Sequence, residues 1–209
     1  MTITNYHAIR YQDTLNGPGY RTVLFVAGCE HHCKGCHNPE TWDPNGGKPF
    51  GKEEVDKILD SLKDPYINGL TISGGDPLAP YNVEEVSKLC KEVKLTIPDK
   101  TIWIYTGYTY EECRGYIAKV KTPIGDIAAV EVLDSTIMSK LFENVDVLVD
   151  GPFMIDKKDP YYLYAGSNNQ RRIDIPASLR ENKVVLWEPR TMHLNDLRLP
   201  YLEHLGELK

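Results

Sequence analysis

Short apolar runs alternate along most of the chain with segments in which apolar residues recur every three or four positions. The apolar runs are rich in β-branched and aromatic residues, which predicts buried strands at 21–28, 68–77, 100–108 and 144–153. The periodic segments predict helices at 51–64, 82–93 and 109–120. Strands that alternate with helices form right-handed βαβ units. We therefore predict an α/β fold with a mainly parallel sheet and outer helices.

Two of the predicted helices show the clearest signals. The helix at 51–64 has an apolar face made of Val55, Ile58, Leu59 and Leu62. The helix at 82–93 begins with Asn82 as a candidate N-cap, and Glu85 follows three positions later, as in a capping box. Segment 120–143 fits either a pair of helices or an irregular insertion, and 183–189 fits a last strand.

Four unusual loop sequences follow the predicted strands directly. They are GCEHHCKGC (28–36), SGGDP (73–77), YTGY (105–108) and DGPF (150–153). Sites in parallel α/β sheets are built at the carboxyl ends of the strands. The sequence therefore predicts one pocket to which all four loops contribute.

Composition narrows the setting of this pocket. The 209 residues suffice for one domain with a substantial core. A net charge of −6 argues against a nucleic-acid-binding surface. No apolar run approaches the roughly 18 residues that a membrane span needs, and the N-terminus lacks the pattern of a secretory signal. We expect a cytoplasmic protein that acts on neither nucleic acid nor membrane.

Three of the five cysteines lie within eight residues, in the pattern Cys29-x3-Cys33-x2-Cys36. Clustered thiols in a reducing compartment indicate metal ligands or redox groups rather than disulfides. Zinc is one interpretation, with His31, His32 or His37 as the fourth ligand. Structural zinc sites, however, commonly use two separated ligand pairs.

An iron–sulfur cluster is the other interpretation, because cysteine thiolates hold such clusters. Three thiolates on a cluster of four irons leave one iron open to another ligand. Cys90 lies on the apolar face of its predicted helix and is expected in the core. Cys113 has no assigned role.

Several of these motifs resemble those of a known enzyme family. The three-cysteine pattern after a first strand resembles the signature of radical S-adenosylmethionine (SAM) enzymes. NGPGYRTVLFVAGC (16–29) and CHNPETW (36–42) resemble the flanking segments in activating enzymes of glycyl-radical enzymes, and SGGDPL (73–78) is similar to the glycine motif of the superfamily. IWIYTGY, VDGPF and GSNNQRR (166–172) resemble the activating subunit of the anaerobic, class III ribonucleoside-triphosphate reductase.

The resemblance implies an incomplete (β/α) barrel, with a radical SAM core domain at 1–175 and a C-terminal extension of open role at 176–209. It implies that Cys29, Cys33 and Cys36 hold a 4Fe-4S cluster whose fourth iron binds SAM. The cofactor-binding residues that it implies are Gly35, Cys36, His37, Ser73, Gly74, Gly75, Asp76, Thr106, Gly107 and Asp150. His31 and His32 are expected on the loop surface. The tract AGSNNQRR (165–172) fits three interpretations: closure over the adenosyl group, presentation of Arg171 and Arg172 to the partner, or a solvated loop.

The implied reaction needs no catalytic side chain. A one-electron donor such as a flavodoxin reduces the cluster, and SAM is cleaved to methionine and a 5′-deoxyadenosyl radical. This radical takes a hydrogen atom from a backbone glycine in the large subunit of the reductase, which leaves a stored glycyl radical. The cluster and SAM supply the chemistry, and the protein supplies orientation and exclusion of water.

Two alternatives stay open. One is an activase of another glycyl-radical enzyme, of the pyruvate formate-lyase type. Against it, YTGY (105–108) stands where those activators have Asp-Thr-Asn-Gly. The other is a non-enzymatic metal-binding or electron-transfer protein, which would gain nothing from an open iron or from the SGGD loop.

Overall fold

The strands and helices were located in a computed structural model that describes residues 5–115, 118–122, 125–130 and 135–189, with 118–122 and 125–130 described as backbone only. The strands are β1 (Asn5–Asp13), β2 (Tyr20–Val26), β3 (Lys48–Pro49), β4 (Ile67–Gly74), β5 (Thr101–Tyr105), β6 (Ala118–Thr122), β7 (Gly125–Val130), β8 (Val147–Asp150) and β9 (Arg171–Asp174). The helices are α1 (Lys52–Leu62), α2 (Val83–Thr96), α3 (Tyr110–Cys113), α4 (Ser135–Phe142) and α5 (Ile175–Glu181).

A mixed sheet with the strand order β3-β1-β2-β4-β5-β8-β9 organises the described part of the chain. Its four central strands, β2, β4, β5 and β8, are parallel. The outer strands β1, β3 and β9 pair antiparallel, and β6 and β7 form a separate hairpin. The prediction of an α/β fold with a mainly parallel sheet is therefore confirmed.

The two faces of the sheet have different neighbours. Leu24, Leu70, Ile102 and Leu148 point to the face that the helices cover and belong to the main hydrophobic core. Trp103 and Val149 point to the opposite face, where Tyr164 and Trp187 pack against them. This alternation follows from the pleat of a strand, in which successive side chains point to opposite faces. The second face is the one that contains the site.

Arg21 links neighbouring strands on the second face of the sheet, near the start of the strands. Its guanidinium is buried, and it donates hydrogen bonds to the hydroxyls of Thr71 (2.6 Å) and Thr101 (3.0 Å) and to the carbonyl of Leu70 (2.6 Å). Burial lowers the pKa of Arg21 to about 10. Three neighbouring strands, β2, β4 and β5, are thus held together by one side chain.

The register of the parallel strands aligns the loops of interest. Val26 at the end of β2 pairs with Gly74 at the end of β4, and Tyr105 at the end of β5 pairs with Val149 in β8. The loops that follow these strands therefore leave the sheet at the same edge. No helix among the described residues is long and apolar enough to cross a membrane.

Several predicted boundaries were wrong. The helix predicted at 109–120 ends at Cys113, because Gly115 adopts a left-handed φ of +83° and residues 118–122 form β6. The strand predicted at 183–189 is reduced to a single bridge between Ile173 and Leu186. Segment 120–143, for which a helix pair and an irregular insertion were the two predictions, contains the end of β6, all of β7 and α4. Residues 123–124 and 131–134 of this segment lie outside the described residues. Strands β1 and β9 were not predicted.

Candidate functional site

The cavity at the carboxyl edge of the sheet has a volume of about 690 Å³. Among its lining residues are most of the predicted site residues, namely Cys29, Cys33, Cys36, His37, Ser73, Gly74, Gly75, Asp76, Thr106 and Gly107. Three of the four predicted loops thus meet at one cavity through these residues, and the fourth contributes Gly151 and Phe153. Gly35 and Asp150 are not among the lining residues.

The cysteine loop is anchored to the chain that follows it. The backbone N–H of Cys29 donates to the carbonyl of Trp42 (3.0 Å), and that of Cys36 donates to the carbonyl of Cys33 (3.0 Å). The N–H of Asn38 lies 3.4 Å from the sulfur of Cys36, as a donor to it. Gly35, between the last two cysteines, adopts a φ of +76° that favours glycine. The loop is a closed turn that presents three half-buried thiols to the cavity.

The donor set fits a cluster better than a single ion. Within the described residues, no group of three histidine, cysteine, aspartate or glutamate side chains converges on one metal position. The thiolates of a 4Fe-4S cluster each bind a different iron, so their sulfurs need not converge. Burial raises the pKa of Cys29 to about 11 and raises that of Cys33. A cluster held by these thiols would release their protons on binding.

The SGGDP loop lies directly against the start of the cysteine loop. The N–H of Gly75 donates to the carbonyl of Val26 (2.8 Å), and the N–H of Asp76 donates to the carbonyl of Gly28 (2.7 Å). A Cβ on Gly75 would lie 2.3 Å from the same Gly28 oxygen, and a Cβ on Gly74 would lie 2.8 Å from the backbone of Phe25. Gly75 is therefore required by the contact between the two loops, and Gly74 by the close pairing of β4 with β2, in addition to any contact with a ligand.

The Asp76 carboxylate joins this loop to the one that follows β5. It is 1% exposed and accepts hydrogen bonds from the N–H of Leu78 (2.8 Å), the hydroxyl of Thr106 (2.8 Å) and the N–H of Gly107 (2.9 Å). A carboxylate that is buried and multiply hydrogen-bonded holds its partners firmly, because each lost bond leaves a charge unsatisfied. Thr106 and Gly107 are thereby fixed at the wall of the cavity.

His31 is not the surface residue that the sequence suggested. Its Nε2 lies 2.8 Å from Oδ2 of Asp76, a close polar contact that lacks the alignment of a regular hydrogen bond and is an ion pair when the imidazole is protonated. Its ring packs edge-on against Tyr108, with 4.6 Å between ring centroids. Desolvation by burial lowers the pKa of His31, but the contact with Asp76 outweighs it and the net pKa is raised. The other two loop histidines are exposed: His32 packs on Trp42, and His37 packs on Phe153 at the cavity.

Asp150 belongs to a different network. Its buried carboxylate accepts hydrogen bonds from the N–H of Tyr110 (2.7 Å) and from Nε (3.1 Å) and Nη2 of Arg171. Arg171 also donates to both carboxylate oxygens of Glu111, at 3.0 and 2.6 Å. The hydrogen bonds to Asp150 and Glu111 raise the pKa of Arg171. The hydrogen bonds between Arg171 and Glu111 also lower the pKa of Glu111. The carboxylate of Asp150 therefore ties β8 to β9 and α3. Asp150 is not among the residues that line the cavity, and its cofactor-binding role stays a prediction.

Part of the cavity lining was not predicted from the sequence. Arg10 on β1, Asn16 on the loop after β1 and Tyr164 on the loop before β9 line the cavity together with Tyr105 of the predicted YTGY loop. The guanidinium of Arg10 lies 4.7 Å from the ring centroid of Phe25, and the hydroxyl of Tyr105 donates to the carbonyl of Tyr164 (2.9 Å). The NGPG segment that begins at Asn16 was the available signal, but β1 itself was not predicted.

Comparison with known proteins matches this arrangement. Residues 15–173 fit the family model described as a 4Fe-4S single cluster domain. Three similar proteins are each described as an anaerobic ribonucleoside-triphosphate reductase-activating protein. That of Escherichia coli K12 is 40% identical over 168 residues, which are 79% of this chain and 96% of that protein. Those of Vibrio cholerae and enterobacteria phage T4 are 42% and 41% identical over 168 residues, 79% and 80% of this chain and 95% and 92% of those proteins.

The fold and the matched model define the class as α/β proteins with a single 4Fe-4S cluster domain. Identity of about 40% over most of this chain and of each relative narrows the class to a single family. The chain belongs to the family of anaerobic ribonucleoside-triphosphate reductase-activating proteins.

Proposed function

We propose that this chain activates an anaerobic ribonucleoside-triphosphate reductase by radical SAM chemistry. The observation that carries the proposal is the meeting of the three-cysteine loop, the SGGDP loop and the loop after β5 at one cavity, with Asp76 bonded to the last of them. When bound, the cluster supplies one electron that cleaves SAM to methionine and a 5′-deoxyadenosyl radical, which takes a hydrogen atom from a backbone glycine of the reductase.

The architecture is suited to a protein substrate. We assign the sheet to the incomplete (β/α) barrel of the radical SAM type, because within the described residues its end strands β3 and β9 do not pair with each other. The cavity is therefore not closed off by strand pairing. Two exposed apolar side chains line it, Leu15 at 79% exposure and Leu163 at 55% exposure. Exposed apolar groups of this kind favour contact with another protein. The reductase loop would enter here.

The cysteine thiolates would hold the cluster. Cys29, Cys33 and Cys36 are the thiols that line the cavity, whereas Cys90 and Cys113 are buried in the helical layer. Three protein ligands would leave one iron of the cluster free to bind SAM. A one-electron donor such as a flavodoxin would deliver the electron, and a cytoplasmic location suits this chemistry.

The neighbouring loops would hold SAM. Backbone groups of Ser73, Gly74 and Gly75 face the cavity and suit the methionine ammonium. Thr106 and Gly107 form the next part of the wall, and His37 beside Cys36 suits the adenine end. Gly35 shapes the turn, since a Cβ there would lie 2.9 Å from Ile155. Asp150 and Arg171 brace the wall from outside the cavity lining and are not proposed as ligands.

The test is an anaerobic assay of the reconstituted, reduced protein with SAM and the large reductase subunit. We expect 5′-deoxyadenosine to form and a glycyl doublet to rise in the electron paramagnetic resonance (EPR) spectrum of the reductase. If SAM is not cleaved, the chain is not a radical SAM enzyme, and an electron-transfer role gains support. If SAM is cleaved but only a glycyl-radical enzyme of the pyruvate formate-lyase type gains the doublet, the substrate assignment is wrong.

A further inference from the structure

His31 belongs to the cysteine loop and contacts the two loops that we propose to hold SAM. It lies between Cys29 and Cys33 in sequence, yet its side chain points away from the loop surface and is 20% exposed. Its Nε2 reaches Oδ2 of Asp76 at 2.8 Å, and Oδ2 also accepts the N–H of Gly107 at 2.9 Å. One carboxylate oxygen thus contacts residues from both of the other loops.

The His31 ring is closely packed by two residues of the loop after β5. A Cβ on Gly107 would lie 2.3 Å from the ring, so only glycine leaves room for it. Tyr108 supports the ring edge-on at a centroid distance of 4.6 Å. Such packing fixes a ring in one orientation, because interiors tolerate few alternative rotamers. The contact between His31 and Asp76 is therefore a built feature and not a chance approach of two surface groups.

We infer that His31 is a positioning residue that sets the distance between the cluster-bearing loop and the SAM-binding loops by holding Asp76. The inference rests on the proposed function, since it gives the three loops the roles assigned above. Asp76 in turn holds Thr106 and Gly107, so a displaced Asp76 would shift both walls of the cavity. Residues that orient metal ligands typically change metal affinity or activity by about 10- to 100-fold when they are replaced, and we take the same range for a residue that orients SAM-binding loops.

The experiment compares His31→Ala and His31→Gln with the wild-type holoenzyme. Iron and sulfide content, the affinity for SAM and the SAM-induced change in the EPR spectrum of the reduced cluster are measured. We expect His31→Ala to keep the cluster, because all three cysteines remain, but to bind SAM about 10- to 100-fold more weakly. His31→Gln keeps a polar group at about the reach of Nε2, which restores a polar contact with Asp76, and should recover part of the lost affinity.

The matched control is His32→Asn, the next residue of the same loop. His32 packs on Trp42 at a centroid distance of 4.8 Å, and its φ of +44° is one that asparagine tolerates. This variant should bind SAM like the wild type. A double variant, His31→Ala with Asp76→Asn, should lose less than the two single losses combined, since both remove the same contact.

Three results would overturn the inference. If His31→Ala binds SAM as tightly as the wild type, His31 does not position the SAM loops. If His31→Ala fails to retain the cluster, its role is in cluster assembly. If His31→Gln is as weak as His31→Ala, ring packing against Tyr108 is responsible and not the contact with Asp76. A wild-type holoenzyme that binds no SAM would instead refute the proposed function, and the inference with it.

Discussion

Gly75 lies so close to Gly28 that a methyl group on it would stand 2.3 Å from the Gly28 carbonyl oxygen. That same oxygen accepts the N–H of Asp76 at 2.7 Å. The first residue of the cysteine loop and the second glycine of the SGGDP loop are therefore in backbone contact. The two loops cannot move apart without breaking this hydrogen bond, and they cannot accept a side chain between them.

Gly75→Ala should therefore destabilise the protein and reduce its capacity for a cluster. Overpacking of a tight contact costs about 1–3 kcal/mol, and here the atom in the way is backbone, which cannot rotate aside. Thermal unfolding and iron content measure the two effects. The control is Gly51→Ser at the start of α1, where the nearest atom to an added Cβ is a flexible Glu54 oxygen at 3.7 Å and serine is a good N-cap. Equal stability of Gly75→Ala and wild type would contradict the tight contact.

Cys33→Ala should abolish both cluster binding and SAM cleavage, whereas Cys90→Ala should leave both intact. Cys33 lines the cavity, but Cys90 is fully buried on the apolar face of α2, where burial raises the pKa of its thiol and keeps it protonated. Cys90→Ala should cost only about 0.5–3 kcal/mol of stability, as for an ordinary core substitution. Iron content, the cluster absorbance and 5′-deoxyadenosine formation are the measurements. Loss of the cluster in Cys90→Ala would overturn the ligand assignment.

The central strands of the sheet were predictable because their residues are selected mainly for burial. Val23 to Val26 are fully or almost fully buried and form a continuous apolar run, so β2 could be identified from composition alone. The edge strand β9 has the sequence Arg-Arg-Ile-Asp, in which only Ile173 is buried. A four-residue polar strand gives no periodic signal, since its pairing is decided by β8 beside it. The same holds for β1, whose residues are half-buried or exposed.

Site residues were predictable where the chemistry of a metal site requires a particular residue type. Contacts between residues that are distant in sequence were not predictable, because they depend on the folded geometry. Three cysteines at close spacing indicated a metal site before any fold was known. The sequence could not show that His31 turns inward to Asp76, because the partners are 45 positions apart and meet only through the strand register. It could not show that Asp150 faces Arg171 either, since that pair forms across the unpredicted β9.

The Glu111–Arg171 pair gives a pH-dependent contribution to stability. Hydrogen bonds from Arg171, opposed by partial desolvation, lower the pKa of Glu111 in the folded protein. A carboxylate with a lowered folded pKa stabilises the protein above its unfolded pKa of about 4.3, and this stabilisation is lost as the pH falls through the folded pKa. Glu111→Gln should therefore lower the melting temperature slightly at pH 7, by an amount that corresponds to less than about 1 kcal/mol for a half-exposed pair.

The difference between Glu111→Gln and wild type should shrink as the pH falls below about 4. Arg171→Ala should cost more at pH 7, about 3–5 kcal/mol, because it leaves the buried Asp150 carboxylate without its cation. Melting curves of the three proteins between pH 3.5 and 7 make the comparison, with the pH limits set around the unfolded pKa of glutamate. A Glu111→Gln difference that grows towards low pH would contradict the assignment.

Charges at the cavity mouth should separate protein docking from SAM cleavage. Leu15 and Leu163 line the cavity and are exposed, so neither is needed to fill the core. Leu163→Asp, alone or with Leu15→Asp, should reduce the glycyl EPR signal on the reductase subunit, because an aspartate would have to be desolvated as the partner docks. Production of 5′-deoxyadenosine without the reductase should stay at the wild-type level.

The matched control for the mouth variants is Tyr66→Asp. Tyr66 is 78% exposed and lies just before β4, at the amino ends of the parallel strands and thus at the edge opposite the cavity. Adding the same charge there should leave both SAM cleavage and the glycyl signal unchanged. If Leu163→Asp and Tyr66→Asp behave alike, or if Leu163→Asp lowers SAM cleavage in step with the glycyl signal, the reductase does not dock through the exposed leucines at the cavity.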